Sequence, residues 1–349
     1  MNASKKSWWQ HYVPGYAKNP FRLAWQLFTE KNPAARSAMF MAAAGAVLTP
    51  LDVLFSGKER KIYSQASEPA EPIILVCGPP RSGTTLVAQY LINHLDVCYL
   101  NNLTSLFPRS PVYANTVFGR LARSETGDYD AFYGKSRGLS GTNDALYIWD
   151  RWLGSDREKV PDELVAGSGQ SMRAFFGAVE QLYGLPIVSK VNKLNTCANL
   201  IAECLPNARF ICVRRDPLFL AQSLYIARTK IMGDVTSAYG VQHRPSSTDP
   251  IEDVCLQVLF HEQQAKRQRE LLGDDRFIII SYEKFCAEPH GLLGLIHDSD
   301  PALRYREGTE TASDSFTVLR SIRVPIDVFQ RIRDRLQEIG FDESSDPSY

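Results

Sequence analysis

The segment between residues 73 and 95 constrains the fold of this chain more than any other part of the sequence. Ile73–Cys77 is an uninterrupted apolar run, which is typical of a strand buried in a parallel sheet. A turn rich in Gly and Pro follows directly, and an apolar pattern with helical spacing runs from Thr84 to Leu95. A strand that passes through such a turn into a helix leaves the free N–H groups of the helix start facing the turn. That geometry binds phosphate, so the sequence predicts an anion site here.

The rest of the core repeats this alternation of strands and helices. The predicted strands are Ile73–Cys77, Val97–Leu100, Ile187–Val191, Phe210–Val213 and Phe277–Ser281. The predicted helices are Thr84–Leu95, Gln170–Tyr183, Thr196–Leu205, Pro217–Lys230, Ile251–Leu272 and Pro325–Ile339. The alternation predicts an α/β fold of three layers, in which helices cover both faces of a central parallel sheet.

Composition excludes several classes of protein. The 349 residues are 44% hydrophobic and 22% charged, which is the composition of a folded chain and not of a disordered one. The 39 Lys and Arg balance the 39 Asp and Glu, so no overall field attracts nucleic acid. Seven Cys without a CxxC pair and six scattered His show no metal-ligand spacing. We therefore expect no metal, reduced thiols and a cytoplasmic protein.

Residues 1–70 differ in composition from the rest and form a predicted N-terminal arm. Its first 28 residues are crowded with aromatic side chains, namely Trp8, Trp9, Tyr12, Tyr16, Phe21, Trp25 and Phe28. Ser37–Phe55 is rich in Ala, Met and Leu, and charge returns at Lys58–Lys61. Two interpretations stay open: a helical arm packed on the domain or on a second subunit of a homodimer, or a segment lying at a membrane interface. Gln65–Glu71 is a predicted linker, so residues 71–349 form the predicted main domain.

The turn after the first strand, Gly78–Thr85, differs from a nucleoside-triphosphate loop. The pattern of such a loop is G-x-x-x-x-G-K-S/T, and Gly78 and Gly83 have its spacing. Thr84 stands where the Lys that contacts the β- and γ-phosphates should be. A cation appears inside the turn instead, at Arg81. The pattern favours a single phosphate together with the group that leaves from it.

A second anion site is predicted where the strand Phe210–Val213 ends. Arg214 and Arg215 follow this strand, at the sheet edge where ligands bind in open α/β folds. Asp216 suits the cap of the next helix. Ser223 is a polar residue on an apolar face of that helix and needs a partner. An ion pair of Arg215 with Asp216, and a Ser223 hydroxyl bonded back to its own helix, are the alternatives.

Both sites match motifs of one known family. Pro79–Thr85 (PPRSGTT) fits the loop P-x-R/K-S-G-T-T, and Arg215 is followed by Ser223 eight residues later, with Asp216–Pro217 completing an R-D-P form common in bacterial members. Over about residues 72–300 the chain thus resembles the sulfotransferases that use 3′-phosphoadenosine 5′-phosphosulfate (PAPS). The resemblance implies a P-loop-type α/β fold and transfer of a sulfuryl group from PAPS to a hydroxyl. It implies that the donor is bound by Pro80, Arg81, Ser82, Gly83, Thr84, Thr85, Arg215 and Ser223.

The resemblance also implies catalytic roles, although the general base departs from the pattern. Arg81 and the N–H groups of the loop would stabilise charge on the leaving phosphate without a metal. Some members carry a Glu just after the first helix, but this chain has Asn101–Asn102, and neither amide can accept a proton. Asp144 is the next candidate for the base, with a helix cap as its alternative role. His94 and Asp150 are poorer candidates.

Weaker similarities concern two further segments of the chain. In PIVSKV, Lys190 or the nearby Lys193 would contact the sulfuryl group or the acceptor, unless each is an ordinary surface lysine. Tyr282–Glu283 follows a strand as a Tyr–Glu pair does in the family, and we interpret it as structural, bracing the nucleotide site.

The acceptor and two rival functions stay open at this point. Aromatic residues between 107 and 152 either line an acceptor pocket or belong to the core, and we expect a lipophilic alcohol or lipid before a carbohydrate. A P-loop kinase or phosphotransferase is one rival, which would need magnesium and ATP. A catalytically inactive nucleotide-binding interaction protein is the other, supported by Asn101–Asn102.

Overall fold

The computed structural model describes residues 33–122, 129, 131–132, 135–136, 138–242, 247–307 and 315–341. The aromatic cluster predicted between residues 8 and 28 lies outside these ranges. The chain divides into two compact units. The first comprises Met1–Pro69, Leu100–Trp152 and Gly167–Gly184, and the second comprises Ala70–Tyr99, Leu153–Ala166 and Leu185–Tyr349.

Five strands form one all-parallel sheet in the second unit. They are β1 (Ile73–Cys77), β2 (Cys98–Tyr99), β3 (Ile187–Lys190), β4 (Ala208–Arg214) and β5 (Phe277–Ser281). Their order in the sheet is β2-β3-β1-β4-β5. The helices of both units are α1 (Pro33–Gln65), α2 (Thr84–His94), α3 (Asn102–Leu106), α4 (Pro111–Phe118), α5 (Leu146–Leu153), α6 (Ser168–Tyr183), α7 (Ala198–Cys204), α8 (Pro217–Ala227), α9 (Pro250–Leu272), α10 (Tyr282–Ala287), α11 (Pro289–Ser299) and α12 (Ile326–Glu338). This architecture confirms the α/β fold predicted from the alternation of strands and helices.

The sheet forms because its strands are buried apolar runs that pair in level register. All five residues of β1, and likewise all five of β5, are buried. Cys77 of β1 lies opposite Cys212 of β4, and Val76 of β1 lies opposite Lys190 of β3. The carboxyl ends of three neighbouring strands therefore meet at one edge of the sheet, where the loops that follow them can come together.

Helix boundaries largely follow the sequence pattern and depart from it in two places. Asp216 caps α8 as predicted, because its carboxylate accepts hydrogen bonds from the N–H groups of Leu218 and Phe219. The predicted helix Pro217–Lys230 continues past α8 as a π-helical turn, Arg228–Met232. The predicted helix Thr196–Leu205 is replaced by a 3₁₀ turn at Asn192–Thr196 and the shorter α7.

In the first unit, two carboxylates hold α1 against the start of α4. Asp52 accepts a hydrogen bond from the backbone N–H of Arg109 at 3.1 Å, and Glu59 accepts from the N–H groups of Val112 and Tyr113 at 3.1 and 2.7 Å. The N–H groups bound by Glu59 lie in the first turn of α4, where a helix has no internal acceptors for them. Burial raises the pKa of both carboxyl groups above their usual values.

Two helical glycines should respond to Ala in opposite directions. A Cβ on Gly177, in α6, would overlap the backbone carbonyl of Ser67 in the linker, whereas a Cβ on Gly294, in α11, would meet nothing within 4 Å. Gly294→Ala should raise the free energy of unfolding by about 0.5–1 kcal/mol, through helix propensity alone. Gly177→Ala should lower it by about 1–3 kcal/mol, because the overlap forces the linker to move. Urea unfolding measures both changes. An increase in the free energy of unfolding for Gly177→Ala would contradict the close contact of Gly177 with the linker.

Candidate functional site

The loop between β1 and α2 is tightly shaped by its neighbours. A Cβ on Gly78 would stand 2.6 Å from the carbonyl oxygen of Val213 in β4, so only glycine lets the two backbones approach this closely. The N–H of Ser82 donates to the carbonyl of Pro79 at 3.2 Å and closes the turn. Arg81 adopts a left-handed backbone conformation with φ of 75°. This conformation is costly for a residue with a Cβ and is found mostly where the surrounding structure imposes it, often at functional sites.

The structure brings the two predicted anion motifs into direct contact. The Nε of Arg81 donates to the hydroxyl oxygen of Ser223 at 3.3 Å, across 142 positions of sequence. The guanidinium of Arg215 donates to the backbone carbonyl of Arg81 at 3.0 Å. Arg81 and Arg215 therefore share one small region at the carboxyl ends of β1 and β4, with Ser223 of α8 between the loops. The bond of Ser223 to Arg81 thus stands in place of the predicted alternative, a bond of the Ser223 hydroxyl back to its own helix, α8.

The two adjacent arginines after β4 have different surroundings. Arg214 is held by Glu262 of α9 in a two-pronged ion pair, at 2.8 and 2.7 Å. Arg215 contacts a backbone carbonyl and lies over the ring of Tyr282, 5.2 Å from its centroid. Burial lowers the pKa of Arg215, while Tyr282 and Glu283 act in the opposite direction. An arginine keeps its positive charge despite such a shift, so Arg215 presents a partly desolvated cation to the loop.

Tyr282 and Glu283 brace the same region, as the sequence analysis proposed for them. The Tyr282 ring occupies the space that a Cβ on Gly83 would need, which explains a glycine at the start of α2. Burial raises the pKa of the Tyr282 phenol to about 12, so its hydroxyl stays protonated. The carboxylate of Glu283 accepts a hydrogen bond from the backbone N–H of Asp216 at 3.2 Å. The pair thus contacts both the loop between β1 and α2 and the turn that carries Arg215.

The end of β3 contributes a lysine and an asparagine to the first turn of α2. Lys190 is buried and its Nζ donates to the hydroxyl of Thr85 at 3.2 Å. Lys193, the other candidate, donates to the backbone carbonyl of Asp156. The hydroxyl of Thr84 donates to the side-chain carbonyl of Asn192 at 2.9 Å. Sequence reasoning missed Asn192, although its position two residues after Lys190 at a strand end was an available signal.

Two buried polar atoms at this site have no hydrogen-bond partner within the described residues. They are the hydroxyl oxygen of Ser82 and the Nε of Arg215. A buried polar group without a partner is costly and uncommon in folded proteins. Hydroxyl and guanidinium N–H groups are the donors that phosphate and sulfate oxygens prefer. The chemistry of these donors therefore fits an anionic ligand with phosphate-like oxygens.

The remaining candidate residues occupy other places. Asp144 lies in the first unit, two residues before the start of α5, where the neighbouring Asn143 accepts a hydrogen bond from the N–H of Ala145. Asn101, in the same unit, caps α3 by accepting from the N–H of Thr104. His94 ends α2, about 15 Å from Thr84 at 1.5 Å per helical residue. Among the residues that the structure describes, no group of three or more His, Cys, Asp and Glu is arranged to hold a metal ion.

An all-parallel sheet of order β2-β3-β1-β4-β5 with a Gly-rich loop between β1 and α2 fits the P-loop-type α/β fold that the sequence predicts. The model of the Sulfotransferase family matches residues 72–298, and the chain belongs to that family. The resemblance found in the sequence is thereby confirmed. A comparison with curated proteins found no match.

Several solved structures are similar to this chain. A sulfotransferase from Mycobacterium avium is 14% identical with a TM-score of 0.49, over 94% of this chain and 83% of that one. A sulfotransferase from Mycobacterium tuberculosis H37Rv is 11% identical with a TM-score of 0.44, over 92% and 86% of the two chains. The sulfotransferase domain of the Synechococcus PCC 7002 olefin synthase is 14% identical with a TM-score of 0.37, over 80% and 99%.

The ring of Tyr282 should matter to stability more than its hydroxyl does. Tyr282→Leu removes the aromatic face under Arg215 and should lower the free energy of unfolding by about 2 kcal/mol, the upper range for a desolvated cation–π contact. Tyr282→Phe keeps that face and should cost less than about 1 kcal/mol. Thermal and urea unfolding of the two variants give the comparison. Equal losses would assign the effect to the hydroxyl and not to the ring.

Proposed function

We propose that this protein transfers a sulfuryl group from PAPS to the hydroxyl of an acceptor, releasing 3′-phosphoadenosine 5′-phosphate and a sulfate ester. The observation that carries the proposal is the contact of two motifs, in which Arg81, Arg215 and Ser223 surround one region at the sheet edge. PAPS has two anionic groups, the 5′-phosphosulfate and the 3′-phosphate, and needs two sets of donors. The loop Pro80–Thr85 would bind the first group, and Arg215 with Ser223 would bind the second.

The proposed reaction is a displacement at sulfur. The acceptor oxygen forms a bond to sulfur, and the bond between sulfur and the bridging oxygen of the 5′-phosphate breaks, so that negative charge accumulates on the leaving phosphate. Arg81 and the N–H groups at the start of α2 are preorganised donors for that charge. Lys190 would balance charge on the sulfuryl oxygens, which its contact with Thr85 supports.

The acceptor must lose a proton, and we propose Asp144 as the base. The side chains of Asn101 and Asn102 are engaged in local structure, the first by Thr104 and the second by Gly138 and Asn143. These contacts give the asparagines a structural reason to be there. They weaken the argument that the asparagines mark a catalytically inactive protein.

The rival kinase function is less compatible with the same loop. A triphosphate enzyme needs a lysine at the position of Thr84 to contact the β- and γ-phosphates. The Thr84 hydroxyl already donates to Asn192, and Arg81 and Arg215 are arginines, which suit planar recognition of single phosphates. These contacts support sulfuryl transfer over phosphoryl transfer.

The acceptor class is proposed from α1, because Trp149 and Trp152, two of the aromatic residues between 107 and 152, pack as core. Trp149, Trp152, Phe175 and Phe176 are buried and contact one another in edge-to-face or tilted pairs. Such packing fills space and does not line an open pocket. We propose a lipid or other lipophilic alcohol as the acceptor, with a carbohydrate as the second choice, because one face of α1 has the character of a membrane-binding surface.

The exposed face of α1 combines apolar and cationic residues. Val47, Pro50, Leu54, Lys58 and Lys61 follow one another at intervals of three or four residues, and all are exposed. Val47 is 78% and Leu54 73% exposed, which are high values for aliphatic side chains.

The charges of α1 are separated in a way that leaves this face cationic. The two acidic residues of α1, Asp52 and Glu59, point inward and are occupied by α4, so no carboxylate of this helix balances Lys58 and Lys61. Residues 1–65 together hold nine Lys and Arg against three Asp and Glu, in a chain that is neutral overall. A cationic surface with exposed aliphatic side chains suits an anionic bilayer, which attracts each basic residue by about 1 kcal/mol.

We therefore propose a cytoplasmic protein that binds the membrane surface peripherally. No helix within the described ranges is long and apolar enough to cross a bilayer. All seven cysteines are free thiols and six of them are buried, which supports a reducing compartment.

The first test is binding of the nucleotide product. 3′-Phosphoadenosine 5′-phosphate at a hundredfold excess over its Kd should stabilise the wild-type protein by about 2.7 kcal/mol in thermal unfolding. ATP with magnesium should not. Arg215→Ala should weaken binding of the bisphosphate by about 2 kcal/mol or more, because two charge-assisted bonds are lost, and should weaken binding of adenosine 5′-monophosphate far less.

Arg267→Ala, at an exposed position of α9, is the matched control and should change neither affinity. An equal loss of affinity for both nucleotides in Arg215→Ala would contradict the assignment of Arg215 to the 3′-phosphate. Stabilisation by ATP with magnesium alone would favour the kinase function instead.

The α1 surface is tested by sedimentation with vesicles. The full-length protein should co-sediment with vesicles containing phosphatidylserine and much less with neutral phosphatidylcholine vesicles, since the basic residues need anionic lipid. Val47→Ser combined with Leu54→Ser should reduce the bound fraction at least several-fold, because burial of each aliphatic side chain contributes about 1.5–3 kcal/mol.

The control pair is Leu319→Ser with Ile322→Ser, which removes two exposed aliphatic side chains from another part of the surface. It should leave vesicle binding unchanged. Absence of binding by the wild type, together with a dimer in size-exclusion chromatography that the α1 variant disrupts, would show that a second subunit covers this face.

A further inference from the structure

The loop that follows the π-helical turn at Arg228–Met232 contacts the turn Gly78–Thr85 after β1, which we call the phosphate loop in accordance with the proposed function. Gly240, in the left-handed conformation with φ of 85°, lies so close to Pro80 that a Cβ on it would overlap the proline ring. The two residues that flank Gly240 are held by one side chain. The amide nitrogen of Gln257, in α9, donates to the carbonyl oxygens of Tyr239 at 3.0 Å and Val241 at 2.9 Å.

The orientation of Gln257 is imposed by a buried arginine. Arg228 is fully buried, and its guanidinium donates to the side-chain oxygen of Gln257 at 2.9 Å and to the carboxylate of Asp253 at 2.6 Å. An arginine can donate but cannot accept, so the oxygen of the Gln257 amide must face Arg228. The amide nitrogen is thereby left to face the carbonyls beside Gly240.

This arrangement is costly for a protein that needs only a stable core. A fully buried arginine is rare, and an ion pair of this kind is often no more stabilising than apolar residues of equal volume. The Nε of Arg228 has no hydrogen-bond partner in the part of the chain that the structure describes. The network does, however, fix a loop to one position, and specificity of position is what buried polar networks provide.

We propose that Asp253, Arg228 and Gln257 form a relay that holds Gly240 against Pro80 and so maintains the shape of the phosphate loop. The relay makes Gln257 and Gly240 positioning residues. Arg81, the residue after Pro80, is held in its costly left-handed conformation from both sides, by Arg215 at its carbonyl and by the Gly240 contact at Pro80. The consequence for ligand binding rests on the proposed function; the consequence for the loop itself does not.

Hydrogen exchange in the ligand-free protein tests the relay directly. Gly240→Ala should speed exchange of the amides at residues 81–85 by about tenfold, equivalent to about 1.4 kcal/mol, because the added methyl pushes on Pro80. Gly184→Ala is the matched control, since Gly184 also has a positive φ, of 65°, but a Cβ there meets nothing within 4 Å. Both variants carry the backbone strain, and only the first should loosen the phosphate loop. Equal exchange at 81–85 in the two variants would overturn the proposal.

Two further variants keep the test decisive if Gly240→Ala is poorly folded. Adding Pro80→Ala to Gly240→Ala removes the overlap and should slow exchange at 81–85 again. Gln257→Glu keeps an acceptor for Arg228 but turns a carboxylate oxygen toward the carbonyls of Tyr239 and Val241. It should therefore speed exchange at both 239–242 and 81–85. Faster exchange at 239–242 without a change at 81–85 would show that the relay does not affect the phosphate loop, and this result would overturn the proposal.

Ligand binding separates this inference from the proposed function. If the wild type binds 3′-phosphoadenosine 5′-phosphate, Gly240→Ala should raise its Kd about tenfold and Gly184→Ala should not, the ratio again corresponding to about 1.4 kcal/mol. A wild type that binds no bisphosphate would contradict the proposed function, while the exchange data would still decide on the relay.

Discussion

The level register of three parallel strands is the constraint on which the candidate site depends. With Cys77 beside Cys212 and Val76 beside Lys190, β1, β3 and β4 end at the same height. A cation stands at or just after the end of each strand, and the common edge brings Lys190 and Arg215 within hydrogen-bond reach of the loop that carries Arg81. A slip of one strand along its neighbour would separate the cations, because each residue advances a strand by about 3.3 Å.

Close backbone approach then decides how the loop lies on this edge. Gly78 meets the carbonyl of Val213, Gly83 meets the ring of Tyr282, and Pro80 meets Gly240, so three sides of the loop are in contact with other segments. Confinement of this kind can maintain a left-handed arginine that a free loop would not populate. The crowding of Arg81 and Arg215 is electrostatically unfavourable without an anion, and the same crowding makes the region selective for one.

In the first unit, the acidic residues of α1 are buried, and Lys58 and Lys61 of the same helix are exposed. Both carboxylates of α1 are turned inward, where they satisfy N–H groups at or near the start of α4. The basic residues of the same helix stay outside together with Val47 and Leu54. A chain with no net charge therefore has a strongly basic N-terminal region, and the proposed membrane contact and lipophilic acceptor both follow from that separation.

Local patterns in the sequence determined the strands, the cap at Asp216 and the Gly-rich turn after β1, because an apolar run, a helix cap and a turn depend on neighbouring residues. The family resemblance followed from the same short motifs. The sequence could not show that Arg81 bonds Ser223 across 142 positions, that Asn192 meets Thr84, or that Gln257 holds the loop beside Pro80. Those contacts depend on strand order and on helix packing. Only the tertiary structure decides which distant segments share the edge of the sheet.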